Sequence, residues 1–315
     1  MSATEQAALG YWPEQKRQMG IGVMIPISEG SAFGGTPRFK DIVEIGNTAR
    51  DAGFDSLWFA DHFSFGAGTD EDPFRGVWEV WTLMAAVAAA VPDLQIGTMV
   101  ACTGYRNPGV IAKMTEMIDE VSDGRFILGL GAGWHKPEYD QFGLPFDHRV
   151  TRFEEAIKII HPLLREGKAD FQGEFFQANK AINQPRGPRP HGAPILVGSS
   201  GDRMVGLIAQ YADAWNTAWH KDTVRATELS KKVDEALEAA GRDPKTLVKT
   251  TGCNIAGTGY TSVRGGAFEG DADAKAGLMN EFKELGFRHF IAGLDPVTPQ
   301  SVEEFGKAIE IFDKA

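Results

Sequence analysis

The feature that most constrains this chain is an alternation. Eight short apolar runs rich in β-branched residues, at 21–27, 56–60, 94–101, 126–129, 195–198, 214–217, 247–256 and 289–293, are each followed by a longer segment with helical periodicity. Those segments are 39–52, 78–90, 108–122, 149–165, 202–211, 223–240, 271–285 and 299–312. Gly53, Gly124, Gly167, Gly241 and Gly286 stand just past five of them, where a left-handed C-cap favours a residue without a Cβ. Eight strand–helix units with no Ser- or Pro-rich linker between them predict an α/β fold closed as a (β/α)8 TIM barrel, with an open doubly wound sheet as the alternative. Residues 20–315 are read as one barrel domain and 1–19 as an N-terminal extension.

Three stretches exceed simple loops: 62–77, 133–148 and 168–193. The first two follow strands, so in a barrel they are insertions on the C-terminal face, where sites are built. The third precedes a strand, and its FQGEFFQ segment predicts a small hairpin.

Charge and composition narrow the partners. With 32 Lys+Arg against 43 Asp+Glu the net charge is −11, and no basic run stands out, which argues against nucleic acid or an anionic membrane surface. A small-molecule substrate is the remaining expectation. Cys102 and Cys253 have neither disulfide-framework nor metal-ligand spacing, and neither HExxH nor an EF-hand loop occurs, so no metal is expected. The first twenty residues lack a signal-peptide pattern, and a cytoplasmic location is expected.

Three motifs carry candidate chemistry. Asp61 and His62 close the second strand, which puts them on the rim, where an imidazole could exchange a proton with a ligand or simply bond to a backbone carbonyl. In Gly129-Leu130-Gly131-Ala132-Gly133-Trp134 the third glycine of a dinucleotide fingerprint is replaced by Trp134. What remains is a strand end that a flat ligand can approach, with Trp134 and His135 as lining, or a tight barrel turn. Gly198-Ser199-Ser200-Gly201 lies between strand and helix and suits either a phosphate or an N-cap. Phe63, Phe65, Phe74, Trp78 and Trp81 cluster around the second loop, as core packing or as the roof of an apolar pocket.

Taken together, SLWFADHF (56–63), IGTMVACTGYRNPGVIAK (96–113), GRFILGLGAGWHKPEYDQFGLPF (124–146), RVTRFEEAIKII (149–160) and PILVGSSGDRMVGLIAQYADAWN (194–216) resemble the luciferase-like oxidoreductases, in particular their F420-dependent branch. The resemblance covers roughly residues 20 to 315 and independently implies a (β/α)8 barrel. It implies Asp61 and His62 as the rim pair beside the reactive ring, and Val100, Ala101 and Cys102 at the third-strand bulge, where the family often has a non-prolyl cis peptide. Gly133, Trp134 and the Gly198–Ser199–Ser200–Gly201 turn are then cofactor-binding, the turn taking the phosphate, and Trp134, His135 and Lys221 contact substrate. The resemblance further implies that Asp61 and His62 carry the catalysis.

The activity so implied is hydride transfer between coenzyme F420 and a small organic substrate. The alternatives are an FMN-dependent monooxygenase using reduced flavin and O₂, and a non-catalytic cofactor-binding barrel. The glucose-6-phosphate dehydrogenases of the branch carry a glutamate acid at the position of Trp134 and a tryptophan at the position of Gly66, so oxidation of that sugar is not implied. A homodimer is the assembly the resemblance suggests. Arg149, Arg152, Arg186, Arg189 and His191 are candidates to line an exit for the anionic F420 tail, or are solvated surface charges.

Overall fold

The computed structural model describes residues 10–29, 35–66, 74–258 and 266–315. In chain order the elements are β1 (Gly20–Met24), α1 (Phe39–Asp51), β2 (Ser56–Phe59), β3 (Ser64–Gly66), β4 (Phe74–Gly76), α2 (Val80–Ala90), β5 (Gln95–Thr98), β6 (Ala101–Cys102), α3 (Pro108–Val121) and β7 (Phe126–Gly131). There follow α4 (Lys136–Phe142), α5 (Arg149–Glu166), β8 (Lys168–Gln172), β9 (Gln177–Ile182), β10 (Ile195–Gly198), α6 (Asp202–Tyr211), β11 (Ala214–His220), α7 (Val224–Ala239), β12 (Val248–Ala256), α8 (Ala272–Glu284), β13 (His289–Asp295) and α9 (Pro299–Lys314).

Strands β1, β2, β5, β7, β10, β11, β12 and β13 pair in that order, all parallel, and β13 returns to β1. The sheet is a closed (β/α)8 barrel, not an open one. Alternation along the strands sorts the core into two layers. Trp58, Ile127, Leu196, Ala214, Val248 and Ile291 fill the barrel interior, while their sequence neighbours such as Leu57, Leu128 and Val197 pack outward in the larger core that includes helix residues. Trp58 fits because β1 and β5 present glycines to it: a Cβ at Gly22 or Gly97 would fall 2.4 or 2.5 Å from its indole.

The third strand departs from the expected single run over 94–101. Thr98 Oγ1 accepts from the Gly129 amide (2.9 Å) and donates to the Gly129 carbonyl (2.7 Å), so a side chain takes over the ladder there. The backbone leaves the sheet at 99–100, where the Met99–Val100 peptide is cis, and rejoins β7 as β6. The Ala218–Trp219 peptide in β11 is also cis.

The long loops carry structure of their own. Between β2 and α2 lies the β3–β4 hairpin, and after β7 comes α4, a helix inside a stretch read as loop. The hairpin expected around FQGEFFQ forms between β8 and β9, its turn held by Glu155, whose carboxylate accepts from the amides of Glu174, Phe175 and Phe176.

Residues 10–19 seal the N-terminal end of the barrel. Trp12 is 2% exposed and packs in the interior layer, edge-on to His289 at 5.7 Å. His289 Nε2 lies 2.7 Å from Ser56 Oγ, which also accepts from Trp58 Nε1. The extension expected over 1–19 thus contributes 10–19 to the closure of the barrel; 1–9 lie outside the described residues. Among the described residues no helix is long and apolar enough to cross a membrane.

Candidate active site

The opposite, C-terminal end is open. A cavity of about 590 Å³ lies there, walled by the ends of β2, β7, β10 and β11, the 99–102 segment and the first turns of α7. Asp61 and His62 follow β2 directly and enter it from one side.

Asp61 is 3% exposed. Its Oδ2 accepts from the Cys102 amide (3.0 Å) and from Arg106 Nη1 (2.7 Å), while its buried Oδ1 has no partner. Burial pushes the carboxyl above the usual carboxylate range, against the pull of the Arg106 guanidinium. Arg106 reaches on to Glu79 Oε1 at 2.7 Å, so it bridges a buried acid to an exposed one.

His62 Nδ1 lies 2.6 Å from Oε1 of Glu138, a fully buried residue of α4. The other Glu138 oxygen accepts from the Phe63 amide at 2.5 Å. Burial disfavours ionisation of Glu138, but the His62 hydrogen bond and the Phe63 amide outweigh it and hold the carboxyl below its ordinary value. An ionised carboxylate only accepts, so Nδ1 carries the hydrogen and Nε2 is the edge left to a ligand.

Cys102 Sγ is 2.9 Å from Tyr139 Oη, and burial pushes the thiol up to about 12. It remains a thiol, and its contribution is the backbone amide that holds Asp61. In the 198–201 turn, the Ser199 carbonyl accepts from Trp215 Nε1 and the Ser200 carbonyl from Lys232 Nζ, each at 2.8 Å. Both carbonyls being occupied, the amides at the start of α6 are the groups left to bind an anion.

Of the residues singled out from sequence, Asp61, His62, Val100, Cys102, Gly133, Trp134, Gly198, Ser199 and Ser200 line this one cavity. Ala101, His135, Gly201 and Lys221 are not among its lining residues; Ala101 is fully buried and Lys221 exposed. The tail exit assigned to Arg186, Arg189 and His191 is overturned. Arg189 donates to Asp119 and to the carbonyl of Phe126, the first residue of β7, and Arg186 binds Glu116. The His191 carbonyl accepts from Arg165. All three sit at the sealed end, because 183–194 runs back to the start of β10. Arg149 and Arg152 stack on Phe146 and Phe175.

Glu138, Arg106, Trp219, Arg225 and Leu229 were not anticipated. Only Glu138 left a local trace, Pro137 at the start of its helix. Arg225, Leu229 and Lys232 share one face of α7, at i, i+4 and i+7. Among the described residues no His/Cys/Asp/Glu cluster could hold a metal ion.

The model of the family described as luciferase-like monooxygenase matches residues 19–307. Pyrimidine monooxygenase RutA from Escherichia coli (strain SE11) is 29% identical over 255 residues, 75% of this chain and 64% of that protein; RutA from Shigella flexneri matches with the same figures. The chain thus spans just under two thirds of the length of these relatives. Among solved structures, an F420-dependent secondary alcohol dehydrogenase in complex with an F420–acetone adduct superposes with a TM-score of 0.78 at 20% identity, covering 94% of this chain and 99% of that one. Riboflavin lyase with modified FMN and riboflavin also gives 0.78, at 14% identity, with 95% and 92% covered. At such identities these two share the fold.

Proposed function

Because this chain belongs to the luciferase-like monooxygenase family, we propose that it is an oxidoreductase, moving a hydride between coenzyme F420 and a small organic substrate at the open end of the barrel. The observation that carries this reading is the His62–Glu138 pair at a cavity that is also lined by Asp61, whose second oxygen has no protein partner. Transfer of a hydride to or from a carbon bearing oxygen needs a group to give or take the oxygen's proton.

The residues present fit the cofactor. A buried carboxylate oxygen without a donor calls for an N–H or O–H from a ligand. Gly131 and Gly198 keep side chains off the wall, where a Cβ would come within 2.6 and 3.0 Å of Val100. The amides after Gly198 offer donors to a phosphate at a helix N-terminus. When bound, the deazaflavin supplies the carbon that accepts or donates the hydride.

His62 then takes the proton of an alcohol at Nε2, or returns it to a carbonyl, and the buried Glu138 carboxylate stabilises the imidazolium that results. Asp61, fixed by Arg106 and the Cys102 amide, orients the ligand through its free oxygen. Gly198, Ser199 and Ser200 hold the phosphate.

A second reading, an FMN-dependent monooxygenase, is favoured by the family's description and by the pyrimidine monooxygenases at 29% identity. Calorimetric titration with F420 and with oxidised and reduced FMN separates the two. F420 is expected to bind at micromolar concentration and more tightly than FMN. Tighter FMN binding moves the assignment to the monooxygenase, and binding of neither overturns both.

A further inference from the structure

Trp134 is the most exposed aromatic side chain among the described residues, 62% in solvent, and it lines the cavity. Single exposed aromatic side chains are common on protein surfaces, so what distinguishes this indole is its place on the cavity wall beside His62 and the way its backbone is mounted. Its mount is rigid. Gly133 is left-handed (φ 78°), and a Cβ there would lie 2.0 Å from Tyr139 Oη and 2.7 Å from Cys102 Sγ. The backbone at 133 is therefore pressed against that pair, as no other residue type would allow. On the other side the Trp134 carbonyl accepts from the Lys136 amide (3.1 Å), where α4 begins. The indole stands 5.8 Å from the His62 ring, with the two planes 78° apart. A second indole, Trp219, is 44% exposed and lines the same cavity. It is seated on β12 and β13, where a Cβ at Gly252 or Gly293 would meet its ring at 3.0 Å.

We propose that Trp134 is an aromatic platform that sets the substrate class: a planar, conjugated molecule stacked on the indole, with its oxygen substituent beside His62. The role given to His62 rests on the hydride-transfer reading; the stacking does not. Stacking rewards a flat π-face, whereas a saturated ring of the same size gains only apolar contact.

The test is calorimetry on the full chain, with and without F420, using 2-naphthalenemethanol and its saturated decalin analogue. The planar alcohol is expected to bind about fivefold more tightly, as a single well-formed aromatic pair allows. Trp134→Leu, at an exposed position, keeps the fold and an apolar side chain but brings the ratio to within about twofold, and Trp134→Phe restores a clear preference for the planar ligand. Equal affinities in the wild type, or a preference unchanged in Trp134→Leu, overturn the platform. Loss of F420 affinity in Trp134→Leu also overturns it, by making the indole part of the cofactor site. Failure of the wild type to bind F420 overturns the hydride-transfer reading instead, and is read independently of the ratio of the two alcohols.

Discussion

Each end of the barrel encloses a histidine, and the two are held by opposite means. At the sealed end His289 is fully buried against the Ser56 hydroxyl and the edges of Trp12 and Trp58, with no carboxylate among these partners, and burial, helped by repulsion from the Arg17 guanidinium, pushes its pKa down to about 3. It is a neutral hydrogen-bonding wedge. At the open end His62 is partly buried, faces a cavity, and has a buried carboxylate at 2.6 Å. Burial without an acidic partner leaves an imidazole neutral and structural, whereas a carboxylate on one ring nitrogen with the other edge left to a ligand is the arrangement that the proposed proton transfer requires. The acids differ less. Asp119, Asp213 and Asp61 are each bound by an arginine, Arg189, Arg165 and Arg106 in turn, and Asp61 differs in that its second oxygen is buried without a partner.

If the ends are separate in this way, damage to one should spare the other. The largest effect is expected from Trp12→Ala, which removes a buried indole from the plug and should destabilise the fold by about 3–5 kcal/mol in a denaturant titration. Cofactor affinity of the folded fraction should be unchanged; a parallel fall would show that the two ends are coupled. His62→Ala should do the reverse, lowering the single-turnover rate by about 10² with a smaller stability loss of about 1–3 kcal/mol, since the buried Glu138 loses one partner but keeps the Phe63 amide. Wild-type turnover in the folded variant would remove His62 from the chemistry.

The next effect is a pH dependence. The folded pKa of His289, about 3, lies below its ordinary value of 6.5, so between these limits the unfolded chain binds the extra proton. The contribution to stability is complete above pH 6.5 and falls as the pH drops toward 3, by up to about 1.4 kcal/mol per unit. Chemical denaturation from pH 7 to 4 on the wild type and on His289→Gln, which removes this titration, should show a steeper fall in the former, the other shifted histidines and carboxylates contributing to both. Equal slopes would mean that His289 does not set the acid sensitivity.

The smallest effect distinguishes two glycines of the 198–201 turn proposed to take the phosphate. A Cβ at Gly198 would lie 3.0 Å from Val100 Cγ1, while at Gly201 it meets nothing within 4 Å. Gly198→Ala should weaken cofactor binding several-fold and Gly201→Ala leave it unchanged. Both should bind a phosphate-free analogue like the wild type if the turn serves the phosphate.

Much of this molecule was legible along the chain. Strand and helix periods of 2 and 3.6 residues record which face of each element is buried, and glycines past the helices mark where each ends. The eight units and the barrel they close follow from that, and so does the position of Asp61, His62 and the 198–201 turn at strand ends on one face. What periodicity does not record is which side chains meet once the sheet has closed. Glu138 reaches His62 across 76 residues, and Arg106 reaches Asp61 across 45. The arginines at 186 and 189 serve the wrong end of the barrel for a cofactor tail because the path of their loop, rather than their charge, decides where they sit. A local pattern is set by the burial of one element's own face, whereas a site is set by the convergence of several loops, whose paths depend on packing against the rest of the barrel.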